Sequence, residues 1–158
     1  MDALRAAGLE DVARVAAVDD RPFLGICVGM QMLFEGSDES PGTSGLAVLP
    51  GRVELLPSTR KLPQMGWNTL EARDGSRLLA GLPDPAWCYF VHSYAVISLG
   101  SSPNRPPGGE SVAAWCEYGA RFVAAVEVRP MWATQFHPEK SGRVGLAVLE
   151  NFVKACAG

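Results

Sequence analysis

The stretch that most limits what this chain can become is residues 21–35, RPFLGICVGMQMLFE. An apolar run, Phe23, Leu24 and Ile26, leads through Gly25-Ile26-Cys27-Val28-Gly29 into Met30, Gln31, Met32 and Leu33, which favour helix. The order is buried strand, tight turn, helix. G-x-C-x-G is the thiol form of the nucleophile elbow, in which the reactive residue sits on a strained strand-to-helix turn with its side chain above the sheet. On this reading both glycines are required, because a Cβ at Gly25 or Gly29 would strike the neighbouring strand or helix. The helix beginning at Val28 and Gly29 points its positive end and unpaired N–H groups at the sulfur, which favours thiolate over thiol. The other reading is a buried cysteine on a core strand. The pattern alone leaves both open.

A second chemical feature stands at residues 134–140, TQFHPEK, between the last strand-like run and a closing helical pattern. A thiol nucleophile needs a base, and the base needs an acceptor that fixes its tautomer and stabilises the imidazolium. His137 and Glu139 supply both, and Pro138 between them holds an extended bend that lets both side chains face one pocket. A lone H-x-E is more often structural. Its company with a thiol at another strand end is what raises it, and the long separation in sequence is no obstacle to a triad.

The rest of the chain frames these two points. Its 158 residues are 47% hydrophobic and 20% charged with a formal net charge of −3, as in a single globular α/β domain with no nucleic-acid or membrane surface. Cys27, Cys88, Cys116 and Cys156 stand far apart and only two histidines occur, so no metal, cofactor or disulfide framework is expected and a reducing cytoplasm fits. Residues 1–18 read as helix, break at Gly8, helix, with no strand before them, so the chain is expected to start inside its own domain. Residues 36–45 and 98–110 read as Gly/Pro/Ser-rich loops. Strands are expected over residues 51–56, 67–70 after a Pro-Gln-Met-Gly turn, 87–97, 112–118, 122–128 and 131–135. Residues 141–157 form an amphipathic helix capped by Ser141, with Val144, Val148, Leu149, Phe152, Val153 and Cys156 on one face.

GICVGMQ, GLAVLPGRVELLP, KLPQMGWNTL, YFVHSYAV, EYGARFVAAVEV and TQFHPEKSGRVGLAVLENFV together resemble the landmarks of class I (triad) glutamine amidotransferases. PGRV, PQMGWN and FVHSYAV select the branch of glutaminase subunits of imidazole glycerol phosphate synthases. The resemblance runs from Met1 to Phe152. It implies a flavodoxin-like doubly wound domain that hydrolyses glutamine and passes ammonia to a (β/α)₈-barrel cyclase partner. Carried over by position, Cys27 is the nucleophile, His137 the acid and base, Glu139 its orienter and the Val28 N–H an oxyanion donor. Gln31, one turn beyond the elbow, and the Ser93-Tyr94 backbone hold the glutamine. Met65, Trp67, Asn68 and Lys140 face the cyclase, and His92 is structural. Members of the family also carry strands ahead of the segment matching Met1 and a P-G-V-G loop, neither of which occurs in this sequence, so a partial domain lacking its N-terminal strands is expected over residues 1–158. Two other readings remain: a glutaminase of another branch, and a non-catalytic binding subunit.

Overall fold

The computed structural model describes residues 1–19, 21–57, 59–100 and 111–157. Residues 101–110 of the expected Gly/Pro-rich loop lie outside the described residues. The chain opens with α1 (Asp2–Ala6) and α2 (Glu10–Val18), separated at Gly8, whose φ of +68° suits glycine. The elbow follows as β1 (Phe23–Ile26) and α3 (Val28–Gln31), a helix of a single turn. Then come β2 (Gly36–Ser37), β3 (Arg52–Leu55), β4 (Gln64–Ala72), β5 (Ala86–His92), β6 (Tyr94–Ala95), β7 (Val112–Glu117), β8 (Arg121–Val128) and β9 (Met131–Thr134). A 3₁₀ turn (Pro138–Lys140) leads into the closing helix α4 (Gly142–Ala157).

Two sheets result. The larger runs β1-β9-β8-β7-β4-β5 and the smaller β2-β3-β6. Alternation along β9 shows how the larger sheet divides the core: Met131 and Ala133 point into one apolar cluster and Trp132 into the other. The Trp132 side is covered by α4 through Val144, Val148 and Phe152. The opposite side is covered by Leu4, Ala13 and Ala17 of the first two helices and by Met30, Leu33 and Phe34 beyond the elbow. Helices on both faces of a sheet give the α/β doubly wound architecture expected from the sequence. β1 is an edge strand, paired in parallel with β9 alone among the described residues. Along α2 and its N-cap, Leu9, Val12 and Val15 are 48%, 62% and 56% exposed, so only part of this apolar surface meets the core.

The structure corrects several expected elements. The aromatic run at residues 87–97 is not one strand: it breaks at Ser93, with β5 in the large sheet and β6 in the small one. Burial alternates only as far as His92, and the Ser93 carbonyl leaves the ladder to accept the Leu56 N–H at 2.9 Å. The Pro-Gln-Met-Gly turn is also strand from Gln64 onward, because each residue from Gln64 to Leu70 pairs with β5. On α4 the buried stripe passes through Gly145 and Val148, while Val153 is 63% exposed and Cys156 is exposed. Gly145 sets that rotation, since a Cβ there would overlap the Pro138 carbonyl and only glycine lets the helix lie so close.

Candidate active site

Cys27 carries φ +51° and ψ −108°, and only one other described non-glycine residue, Ala47, has a positive φ. Such backbone costs of the order of 1–3 kcal/mol and persists only where the surroundings impose it. Here they do. The Cys27 N–H donates to the Thr134 carbonyl at 2.7 Å, and the turn closes as the Cys27 carbonyl accepts the N–H groups of Met30 and Gln31. A Cβ on Gly25 would stand 2.9 Å from the Gly29 backbone, so the first glycine is required as expected. At Gly29 an added Cβ meets nothing within 4 Å, which corrects the expectation for the second.

β1 and β9 lie side by side and parallel with Ile26 opposite Thr134, so the segments leaving their C-terminal ends begin as neighbours. One carries Cys27 and the other His137. The His137 backbone is held at both polar groups: its N–H donates to the Tyr89 carbonyl at 2.9 Å, and its carbonyl accepts the Ser141 hydroxyl at 2.6 Å. The same hydroxyl accepts the Tyr89 N–H at 2.9 Å. Ser141 therefore pins His137 to β5, and among the described residues its hydroxyl bonds to no N–H of α4. His137 Nδ1 lies 2.7 Å from Glu139 Oε1, which places the proton on Nδ1 and leaves the buried Nε2, without a partner among the described residues, to take up or release one.

The thiol does not behave as the helix alone would predict. Burial pushes the Cys27 pKa above its ordinary value, the Glu139 and Glu39 carboxylates push the same way, and N–H donors from Val28 and Gln135 offset only part of this. A single helical turn has little dipole to set against desolvation. Gln31 donates from Nε2 to the Tyr94 carbonyl at 2.9 Å and to Gln135 Oε1 at 3.0 Å. It lines a cleft with Val28, Ser37, Glu39 and Ser40 beside the elbow. The Ser93 carbonyl accepts from Leu56, and that of Tyr94 from Gln31 and the His92 ring. His92 is 6% exposed and packs between the rings of Phe90 and Phe122. Met65 and Trp67 are 66% and 53% exposed on β4, Asn68 donates to the Glu117 carbonyl, and Lys140 lies over the Tyr89 ring. Gln135 and Glu39 carry no role in the sequence pattern. A polar residue at a strand end between Thr134 and the apolar Phe136 is the signal that points to the first.

The glutamine amidotransferase class-I family matches residues 4–156. The chain is 50% identical over 134 residues to the imidazole glycerol phosphate synthase subunit HisH of Desulfitobacterium hafniense, covering 85% of this chain and 60% of that protein. It is 47% identical over 159 residues to the subunit of that name in Deinococcus radiodurans, covering 99% and 70%. Among solved structures it is similar to a glutamine amidotransferase at TM-score 0.66 and 22% identity, over 98% of this chain and 71% of the other, which supports the fold. The chain thus spans about 60% of the length of the first of these relatives. Cysteine elbow and H-x-E turn, set by the fold on adjoining strands, both fall inside the matched residues, and the chain belongs to the class-I glutamine amidotransferase family.

Proposed function

We propose that this chain is the glutaminase subunit of an imidazole glycerol phosphate synthase, hydrolysing glutamine to glutamate and ammonia for a barrel-shaped cyclase partner. The observation that carries the reading is the strained Cys27, held above the end of β1 with the Val28 N–H on its sulfur and the His137–Glu139 pair on the neighbouring strand end. Because the thiol is held protonated, its proton passes to His137 Nε2 as the sulfur attacks the side-chain amide carbon of glutamine. The amide oxygen becomes an oxyanion and takes the Val28 N–H. The imidazolium, steadied by Glu139, protonates the leaving nitrogen, and ammonia departs from a glutamyl thioester. Water, deprotonated by the same Nε2, hydrolyses the thioester and returns the sulfur. Gln31 has spent both amide protons inside the protein, so its Oε1 is left to accept from the substrate. Glu39, in the same cleft, offers a carboxylate to the α-ammonium of glutamine. Exposed Met65 and Trp67, with Asn68 and Lys140, form the face offered to the cyclase. No helix among the described residues is long and apolar enough to cross a membrane, and we place the complex in the cytoplasm.

Glutamate release measured with and without the cyclase subunit of the same organism tests this. The expected result is release that rises with the partner, falls about 10³-fold or more in Cys27→Ser, and weakens in partner dependence with Trp67→Ala. Stable cyclase binding without any glutamate release would instead favour the non-catalytic binding subunit.

A further inference from the structure

Gln135 has no exposed surface, yet it is a polar side chain against the reactive sulfur. Its Nε2 stands 3.6 Å from Cys27 Sγ, and its Oε1 accepts from Gln31 Nε2 at 3.0 Å. The direction of this chain is fixed from its far end. The Tyr94 carbonyl can only accept, so the group of Gln31 that faces it at 2.9 Å must be the NH₂. The second proton of that NH₂ then points at Gln135, which must answer with oxygen. Gln135 is left with its own NH₂ toward the sulfur. Turning Gln135 alone would set two NH₂ groups against each other and a carbonyl oxygen against the sulfur, and turning Gln31 as well would press its carbonyl oxygen on that of Tyr94.

We propose that Gln135 is a further catalytic residue of this site, donating an N–H to the Cys27 sulfur in an orientation that Gln31 and the Tyr94 carbonyl impose. The inference rests on the reading of Cys27 as nucleophile. Val28 reaches the sulfur from the helix start and Gln135 from the end of β9, so negative charge developing on sulfur meets donors supplied by two different elements. The groups that face the sulfur with the opposite influence are Glu139 of the 3₁₀ turn and Glu39 of the loop after β2. His137 takes the proton itself. Val28 leaves the sulfur for the oxyanion during attack, whereas Gln135 is buried behind the site and stays with the sulfur, which makes it the donor that serves the thiolate when the thioester is cleaved.

The test reads the sulfur without glutamine, so it fails or succeeds apart from the glutaminase reading. The chain is alkylated with iodoacetamide across a pH series, and the label on Cys27 is quantified peptide by peptide by mass spectrometry. In Gln135→Met the Cys27 titration is expected to move upward by about one pH unit, with labelling near neutral pH about tenfold slower. Gln31→Met, which touches no sulfur but frees Gln135 to turn, is expected to shift the curve the same way by a smaller amount. It also decides the matter if Gln135→Met does not fold. A Cys27 profile in either folded variant that coincides with the parent's would overturn the proposal.

Discussion

At Gly25 a Cβ would press on the backbone of Gly29, while at Gly29 it would meet open space, so the two glycines of the elbow separate by experiment. Gly25→Ala is expected to lower the melting temperature by an overpacking cost of about 1–3 kcal/mol, and Gly29→Ala to leave it unchanged within about 0.5 kcal/mol. Equal losses in thermal unfolding would mean that Gly29 also sits against something. On the proposed mechanism His137→Ala removes the proton carrier of both half-reactions, while Glu139→Gln keeps a hydrogen bond to Nδ1 and loses the charge. Glu139 is 48% exposed, so its charge is partly screened. Near-complete loss of glutamate release for the first and a partial loss for the second are expected; an unchanged rate for Glu139→Gln would place it outside the machinery. Residue type and spacing singled out Cys27, His137 and Glu139 as candidates, and the pairing of β1 with β9 sets their two motifs at neighbouring strand ends. The state of the thiol was not, because burial is set by strands from distant sequence, and nothing local announces that desolvation outweighs one helical turn.

At the scale of elements, the short link from β9 to α4 decides the geometry of His137. Gly145 allows α4 to lie on the Pro138 carbonyl, and Ser141 ties His137 to Tyr89. Gly145→Ala is expected to push the helix off the 3₁₀ turn, lowering both stability and glutamate release, while Leu146→Ala, at a position 57% exposed, changes neither. A second device lies at the break between β5 and β6. His92 donates from Nδ1 to the Tyr94 carbonyl at 2.9 Å and keeps a buried Nε2 without a partner among the described residues. Burial lowers its pKa from 6.5 to about 4. The folded state therefore requires neutral His92, and the stability this provides is full above about pH 6.5 and drains away as pH falls toward 4, to the extent of about 3 kcal/mol. His92→Gln is expected to flatten the dependence of melting temperature on pH over that window, and parallel curves for variant and parent would contradict it. That break was invisible in a run of aromatic and β-branched residues, since sheet membership is decided by which partner strand takes the backbone. The closing helix was legible in length from its period, but its rotation was not, because a glycine contact with Pro138 and not the apolar pattern chooses the buried side.

Across the whole molecule, β1 carries Cys27 at its end and, among the described residues, forms the edge of a six-stranded sheet, while α2 and its N-cap turn Leu9, Val12 and Val15 outward. Fold class was readable from period and turn residues, but β2, inside an expected loop, and the separate β6 were not. The sheet order was not, as pairing β1 with β9 joins the two chemical motifs across most of the chain. Val12→Glu with Val15→Lys is expected to reduce light scattering on heating while leaving the unfolding midpoint within about 2 °C, since both side chains lie outside the core. A midpoint several degrees lower would show that these valines pack in solution. The central claim is that the Cys27 sulfur is the atom that attacks glutamine, and the most direct test is to expose the chain, with the proposed cyclase partner, to a glutamine-like electrophile and locate the adduct by mass spectrometry. A single adduct on Cys27, suppressed by added glutamine, is predicted; an adduct on Cys88, Cys116 or Cys156 with Cys27 untouched, or labelling that glutamine does not suppress, would contradict it.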